Sequence, residues 1–168
     1  MNVFFDPYIV FFVRWLHVLS GIMWIGLLWY FNFVQTPSMP KIPDEQKPAI
    51  SKVIAPAALF WFRWAALSTI IWGLMQSWQL HYWKGALTLG FLTKSTHDMS
   101  IGFGMWFGLI MAFNVWFIIW PCQKKVLGLV SATPEAKAKA ARAGFVASRV
   151  NTMLSIPMTY AMVAVHLR

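Results

Sequence analysis

Four long apolar runs dominate the chain, at about residues 8–34, 56–83, 97–120 and 145–166, and the polar residues gather between them. Each run is near or above the roughly 20 residues that a membrane-spanning helix needs. The pattern predicts an all-α integral membrane protein, a bundle of four transmembrane helices. The connections are too short to hold a second core, so residues 1–168 are expected to form one domain. The first run begins with no basic segment and meets no small-residue cleavage site, so it is expected to stay in the chain as a span and not to act as a signal peptide. Two connections carry helix signals of their own. The proline-rich QTPSMPKIPDEQKPAISKVIA points to a short interfacial helix at its end. TPEAKAKAARAG, with a threonine cap, a proline, alanines and a closing glycine, reads as a separate short helix.

Composition removes the soluble alternative: 59% of residues are hydrophobic and 11% are charged, which leaves too little polar surface for a soluble domain of this size. The net charge of +9 would suit a nucleic-acid partner, but its distribution assigns it to the bilayer instead. Lys41, Lys47 and Lys52 fill the first connection, and Lys124, Lys125, Lys137, Lys139 and Arg142 the third, whereas the middle one has Lys84 and Lys94. Lysine and arginine collect on the cytoplasmic side, so both termini are expected to face outward from a bacterial inner membrane. The single cysteine, Cys122, has no CxxCH around it. Neither a disulfide nor a covalently attached haem is encoded, and any cofactor must be held by coordination.

Histidines are the first candidates for that coordination. His81, His97 and His166 lie near the outer ends of their runs, while His17 sits about 13 Å deep by the helical rise. An ionisable ring at membrane depth reads as functional by default. His81 and His166 read as ordinary interfacial residues beside Tyr82, Trp83 and Arg168. Near His17 come Gly21 and Trp24; after His97 come Ile101, Gly104 and Gly108. Such small-residue faces admit a porphyrin between helices, or equally another helix. Paired histidines hold haem b, and copper or zinc would use the same residues; haem is preferred over copper because only one histidine is deep.

A second polar set shares the cytoplasmic level: Asn32 and Gln35, then Arg63, Asn114, Arg149 and Asn151. Arg63, Asn114, Arg149 and Asn151 are expected either to form a structural hydrogen-bond network or to line a pocket for a planar polar or anionic ligand, such as a substrate or a quinone.

The segments RWLHVLSGIMWIGLLWYFNFVQTP, GFGMWFGLIMAFNVWFIIWPCQK and ARAGFVASRVNTMLSIPMTYAM resemble the membrane domain of the bacterial membrane-bound urate oxidase (urate hydroxylase) family. That resemblance implies urate as a candidate substrate and an outward carboxy-terminal side, where family members continue into further helices and a cytochrome c domain. Here the chain reaches Arg168 directly after the fourth run, without a haem-attachment motif. The first run is also similar, more weakly, to four-helix membrane protoporphyrinogen oxidases, whose histidine pairs with a lysine; Lys94 is the loose counterpart.

Together these features predict a membrane-embedded redox protein. Haem b is expected on His17 and His97, with electrons passing from a planar polar substrate or quinol to a separate cytochrome c or larger membrane complex. The alternative is a non-catalytic accessory subunit, or a homo-oligomer, in which Gly102, Gly104 and Gly108 seat a partner helix.

Overall fold

The computed structural model describes residues 3–164, and His166 lies outside them. Among the described residues the chain is helical with connecting turns and no strand. Four long helices are present: α1 (Pro7–Lys41), α2 (Lys47–Gln79), α4 (Thr96–Val126) and α5 (Pro134–Ala164), with the short α3 (Trp83–Leu87) between α2 and α4. α1, α2 and α4 are long and apolar enough to cross a membrane. α5 joins a basic amino-terminal third, with Lys137, Lys139 and Arg142, to an apolar remainder.

The helix starts follow ordinary capping chemistry. Asp6 accepts a hydrogen bond from the Tyr8 amide ahead of Pro7, Ser95 accepts from the Asp98 amide, and Thr133 accepts from the Ala136 amide. α2 ends at Gln79, ahead of residue 83, and His81 falls in the following turn at φ 60°, stacked on Phe5 at 5.3 Å. TPEAKAKAARAG is not a separate helix: it is the first part of α5, which runs on through Gly144. Gly144 does not act as a cap. It is buried, and a Cβ there would lie 3.2 Å from Cβ of Cys122, so the missing side chain lets α5 approach the end of α4.

Three of the long helices contain a wide π-type stretch, at Tyr30–Gln35, Ile50–Ile54 and Asn114–Ile119. Each ends two residues before a proline: Pro37, Pro56 and Pro121. Proline has no amide hydrogen, and its ring crowds the carbonyl four residues back. Widening the turn by one residue lets the backbone pass that obstruction without breaking the helix.

α1 packs along α2, and α4 along α5; the pairs meet through α2 with α4 and α1 with α5. α1 and α4 therefore stand diagonally across the bundle. All four long helices feed one apolar core, centred on Trp24, Leu28, Phe62, Ala66, Met111 and Val115. Gly102 and Gly104 also turn inward. A Cβ on Gly102 would meet the Ala86 carbonyl, and one on Gly104 would lie 2.9 Å from the Met162 side chain. With Gly108 buried as well, these glycines are spent on packing within the chain, not on a seat for a partner helix. The same contacts fill the α4 face that the sequence offered to a porphyrin.

Candidate functional site

His17 lies half-buried on α1 and faces α2. Its Nδ1 is 2.9 Å from the Thr69 carbonyl oxygen. A carbonyl only accepts, so Nδ1 carries the hydrogen and Nε2 keeps its lone pair. The ring rests against Gly73, where a Cβ would stand 2.8 Å from Cε1. Thr69 turns its own hydroxyl to the Ala65 carbonyl (2.7 Å), and Ser20 and Ser68 bond across the same helix pair at 2.8 Å. α2 thus supplies a carbonyl at one point of the ring and an empty space beside it.

His97 lies on α4, diagonally opposite, with its side chain half-exposed. Its Nδ1 is 3.1 Å from Asp98 Oδ1, and Thr93 Oγ1 donates to Asp98 Oδ2 at 2.7 Å. Asp98 is buried against Gly85, where no larger residue would fit beside the carboxylate. The two histidines share a design: one ring nitrogen is held by an oxygen acceptor and the other is left available. That is the usual second-shell arrangement of a ligating histidine.

Tyr82 lies between them in the connection after α2. Its ring meets His97 edge to face at 5.9 Å. Burial pushes its phenol above the ordinary range; the Arg14 charge one turn before His17 pulls it down, and the Asp98 carboxylate pushes it up. An adjacent apolar cavity of 270 Å³ is lined by Leu74, Ser77, Trp78, Trp83, Leu87 and Met105, and includes neither histidine. Among the described residues no group of three or more His, Cys, Asp or Glu side chains is placed to hold a bare metal ion.

The cytoplasmic polar residues are arranged differently. Asn114 donates through Nδ2 to Asn151 Oδ1 at 2.8 Å, and Asn151 donates onward to the Met111 carbonyl at 2.9 Å. Asn151 is fully buried. Asn32 donates to the Leu28 carbonyl (2.9 Å) and to Ser148 Oγ (2.8 Å). Arg63 does not join them: its guanidinium lies 3.7 Å from the Trp120 ring centroid, with Phe60 on another side at 5.5 Å. Arg149 sits over Phe145 at 5.1 Å. The structure therefore brings Asn114 and Asn151 together and leaves both arginines stacked on rings.

Two further groups emerge only in three dimensions. The indole Nε1 atoms of Trp24 and Trp116 are buried donors without an acceptor among the described residues. Trp24 lies seven residues beyond His17, a spacing that keeps it on the same side of α1; nothing local marks Trp116.

Residues 94–168 match the family model described as urate oxidase N-terminal. The resemblance read from the sequence is shown over that stretch. It includes GFGMWFGLIMAFNVWFIIWPCQK and ARAGFVASRVNTMLSIPMTYAM, while the His17 segment precedes it. No curated protein and no solved structure matches the chain.

Proposed function

We propose, from the premise that this chain carries the amino-terminal membrane region of a urate oxidase, that it is a redox protein of the bacterial inner membrane. It crosses the bilayer as four helices with both termini outside, and transfers electrons from a planar polar substrate, urate being the first candidate, or from a quinol to an acceptor on the outer side. The observation that carries this reading is His17: an imidazole within a span, its Nδ1 engaged by Thr69, its Nε2 lone pair free. A group left this way at membrane depth has a use there.

The donor chemistry fits haem b. His17 is the first ligand and His97, oriented by Asp98, the second. Bound there, haem b would supply one-electron transfer at a potential set by imidazole ligation. The chain's own residues do the rest. Thr69 fixes the His17 tautomer, Gly73 gives its ring room, and Asp98 raises the basicity of His97. Tyr82 remains a neutral phenol between Arg14 and Asp98, able to donate a hydrogen bond without adding charge. At the opposite level the amides close on one another, so substrate recognition falls to groups with unused valence. The Trp24 and Trp116 indoles are the buried donors able to receive a carbonyl.

The test is a visible spectrum of gently purified protein, air-oxidised and dithionite-reduced, with pyridine haemochrome and metal analysis. The expected result is a b-type spectrum near one haem per chain, abolished by His17→Ala and shifted by His97→Ala, with the variants still folded by size exclusion. Copper without haem would move the ligands to a metal site. A colourless, metal-free sample from haem-replete cells would make His17 a packing residue and favour the accessory subunit.

A further inference from the structure

Along one stripe of α5, Lys139, Arg142, Ala143, Val146 and Val150 follow at helical spacing. Together with Asn114 and Ile118 of α4 they line an open groove of 540 Å³. The groove is charged at one end and apolar along its length. Its depth is set by packing, since Gly144 touches Cys122, one turn before the close of α4 at Lys124, Lys125 and Val126. Lys139 and Arg142 therefore stand level with the basic end of the third span. Val146, Val150 and Ile118 lie further along, beside the apolar part of that span.

Charge separates this groove from the apolar surface around it. Among the described residues the ion pairs are Lys47 with Asp44 and His97 with Asp98, so neither Lys139 nor Arg142 has a carboxylate within reach. Glu135, one turn before Lys139, does not pair with it. Asn114, at the start of the wide turn, has its amide hydrogen committed to Asn151, which keeps the wall of the groove rigid.

We propose that this groove binds an anionic phospholipid, its phosphate held between Lys139 and Arg142 and one acyl chain laid along Val146, Val150 and Ile118. Two cations at the rim and an apolar trough about 12–17 Å long, from the rise per residue between Lys139 or Arg142 and Val150, match a headgroup and the upper part of a chain. Each juxtamembrane cation contributes on the order of 1 kcal/mol of attraction to an anionic headgroup, so the pair predicts about a thirtyfold preference over a zwitterionic lipid. This inference is independent of any cofactor.

The experiment is lipid titration of the detergent-solubilised full chain by native mass spectrometry, with phosphatidylglycerol, cardiolipin and phosphatidylcholine as separate probes. The expected result is retention of the anionic lipids about thirtyfold over phosphatidylcholine. K139E/R142E should bring them to parity, while K41E/K52E, which changes net charge equally, should leave the preference intact. Val150→Trp, which fills the trough and keeps both cations, should weaken lipid retention and leave the weak binding of inorganic phosphate unchanged. Equal retention of all three lipids would overturn the proposal. So would an equal loss in K41E/K52E, which would mean unspecific attraction, or displacement of lipid by equimolar inorganic phosphate, which would mean a site for a free anion. Should K139E/R142E not fold, Arg142→Gln carries the same test, with a smaller expected loss.

Discussion

The amide level and the histidine level are both made of polar side chains set into an apolar bundle, but they are finished in opposite ways. Asn114, Asn151 and Asn32 hand their hydrogens to each other's helices and to backbone carbonyls until little is left to offer. His17 and His97 are each fastened by one nitrogen and keep the other. Closing a polar network stabilises the fold, because an unpaired buried group is costly; leaving a valence open forgoes stability and reserves chemistry. The difference teaches where to look for function: at the level whose bonds are incomplete.

Substitutions sharpen that contrast. Asn151→Leu strands both the Asn114 amide and the Met111 carbonyl, and should cost about 3 kcal/mol. Thermal unfolding in detergent, followed by tryptophan fluorescence, measures it; a cost below about 1 kcal/mol would show that the amide chain is not structural. Gly73→Ala pushes a methyl into the His17 ring and should cost about 2 kcal/mol. In a His17→Ala background most of that cost should vanish, and an unchanged cost would mean that Gly73 serves something other than the ring. Asp98→Asn keeps the shape but weakens the hold on His97 and Thr93, at about 1 kcal/mol. It should leave the amide level untouched, as hydrogen exchange at residues 111–118 would report.

The smallest effect belongs to Tyr82. Its phenol is raised in the folded chain, so the stabilisation from this group is fully present below the unfolded tyrosine value of about 10 and is lost as pH rises through the folded value. Absorbance at the tyrosinate band should show one late-ionising component that Tyr82→Phe removes. If the late component persists in that variant, the Arg14 charge outweighs burial at Tyr82.

Much of this architecture was legible beforehand. Apolar run length is a direct consequence of bilayer thickness, so the spans α1, α2 and α4 stood out, and the FNVWFIIWP and SRVNTMLSIPM runs carried the family. The shared level of Asn114 and Asn151 followed from counting residues, and the bond between them is what that level permits. Glycine was the harder residue to read. Gly144 closes an alanine-rich polar stretch as a cap would, and only the contact with Cys122 shows that it serves close approach instead. Gly102 and Gly104 likewise look the same in sequence whether they face a partner, a cofactor or their own chain. The arginines were misjudged for a related reason: with carboxylates scarce, their partners are the aromatic rings of Trp120, Phe60 and Phe145, and ring stacking leaves no spacing signature across two helices.

The wide turns before Pro37, Pro56 and Pro121 have a consequence for how this chain tolerates change in length. A wide turn holds one residue more than the α-helix needs, and one residue corresponds to about 100° of rotation about the axis. Deleting a single residue within Asn114–Ile119 would therefore leave the helix unbroken but turn everything after it by more than a quarter circle. Trp120 would swing away from Arg63 and Cys122 away from Gly144, while the Asn114 end stayed in place. At these three points the chain is sensitive to phase before it is sensitive to composition, and a one-residue deletion there would do more damage than most substitutions nearby.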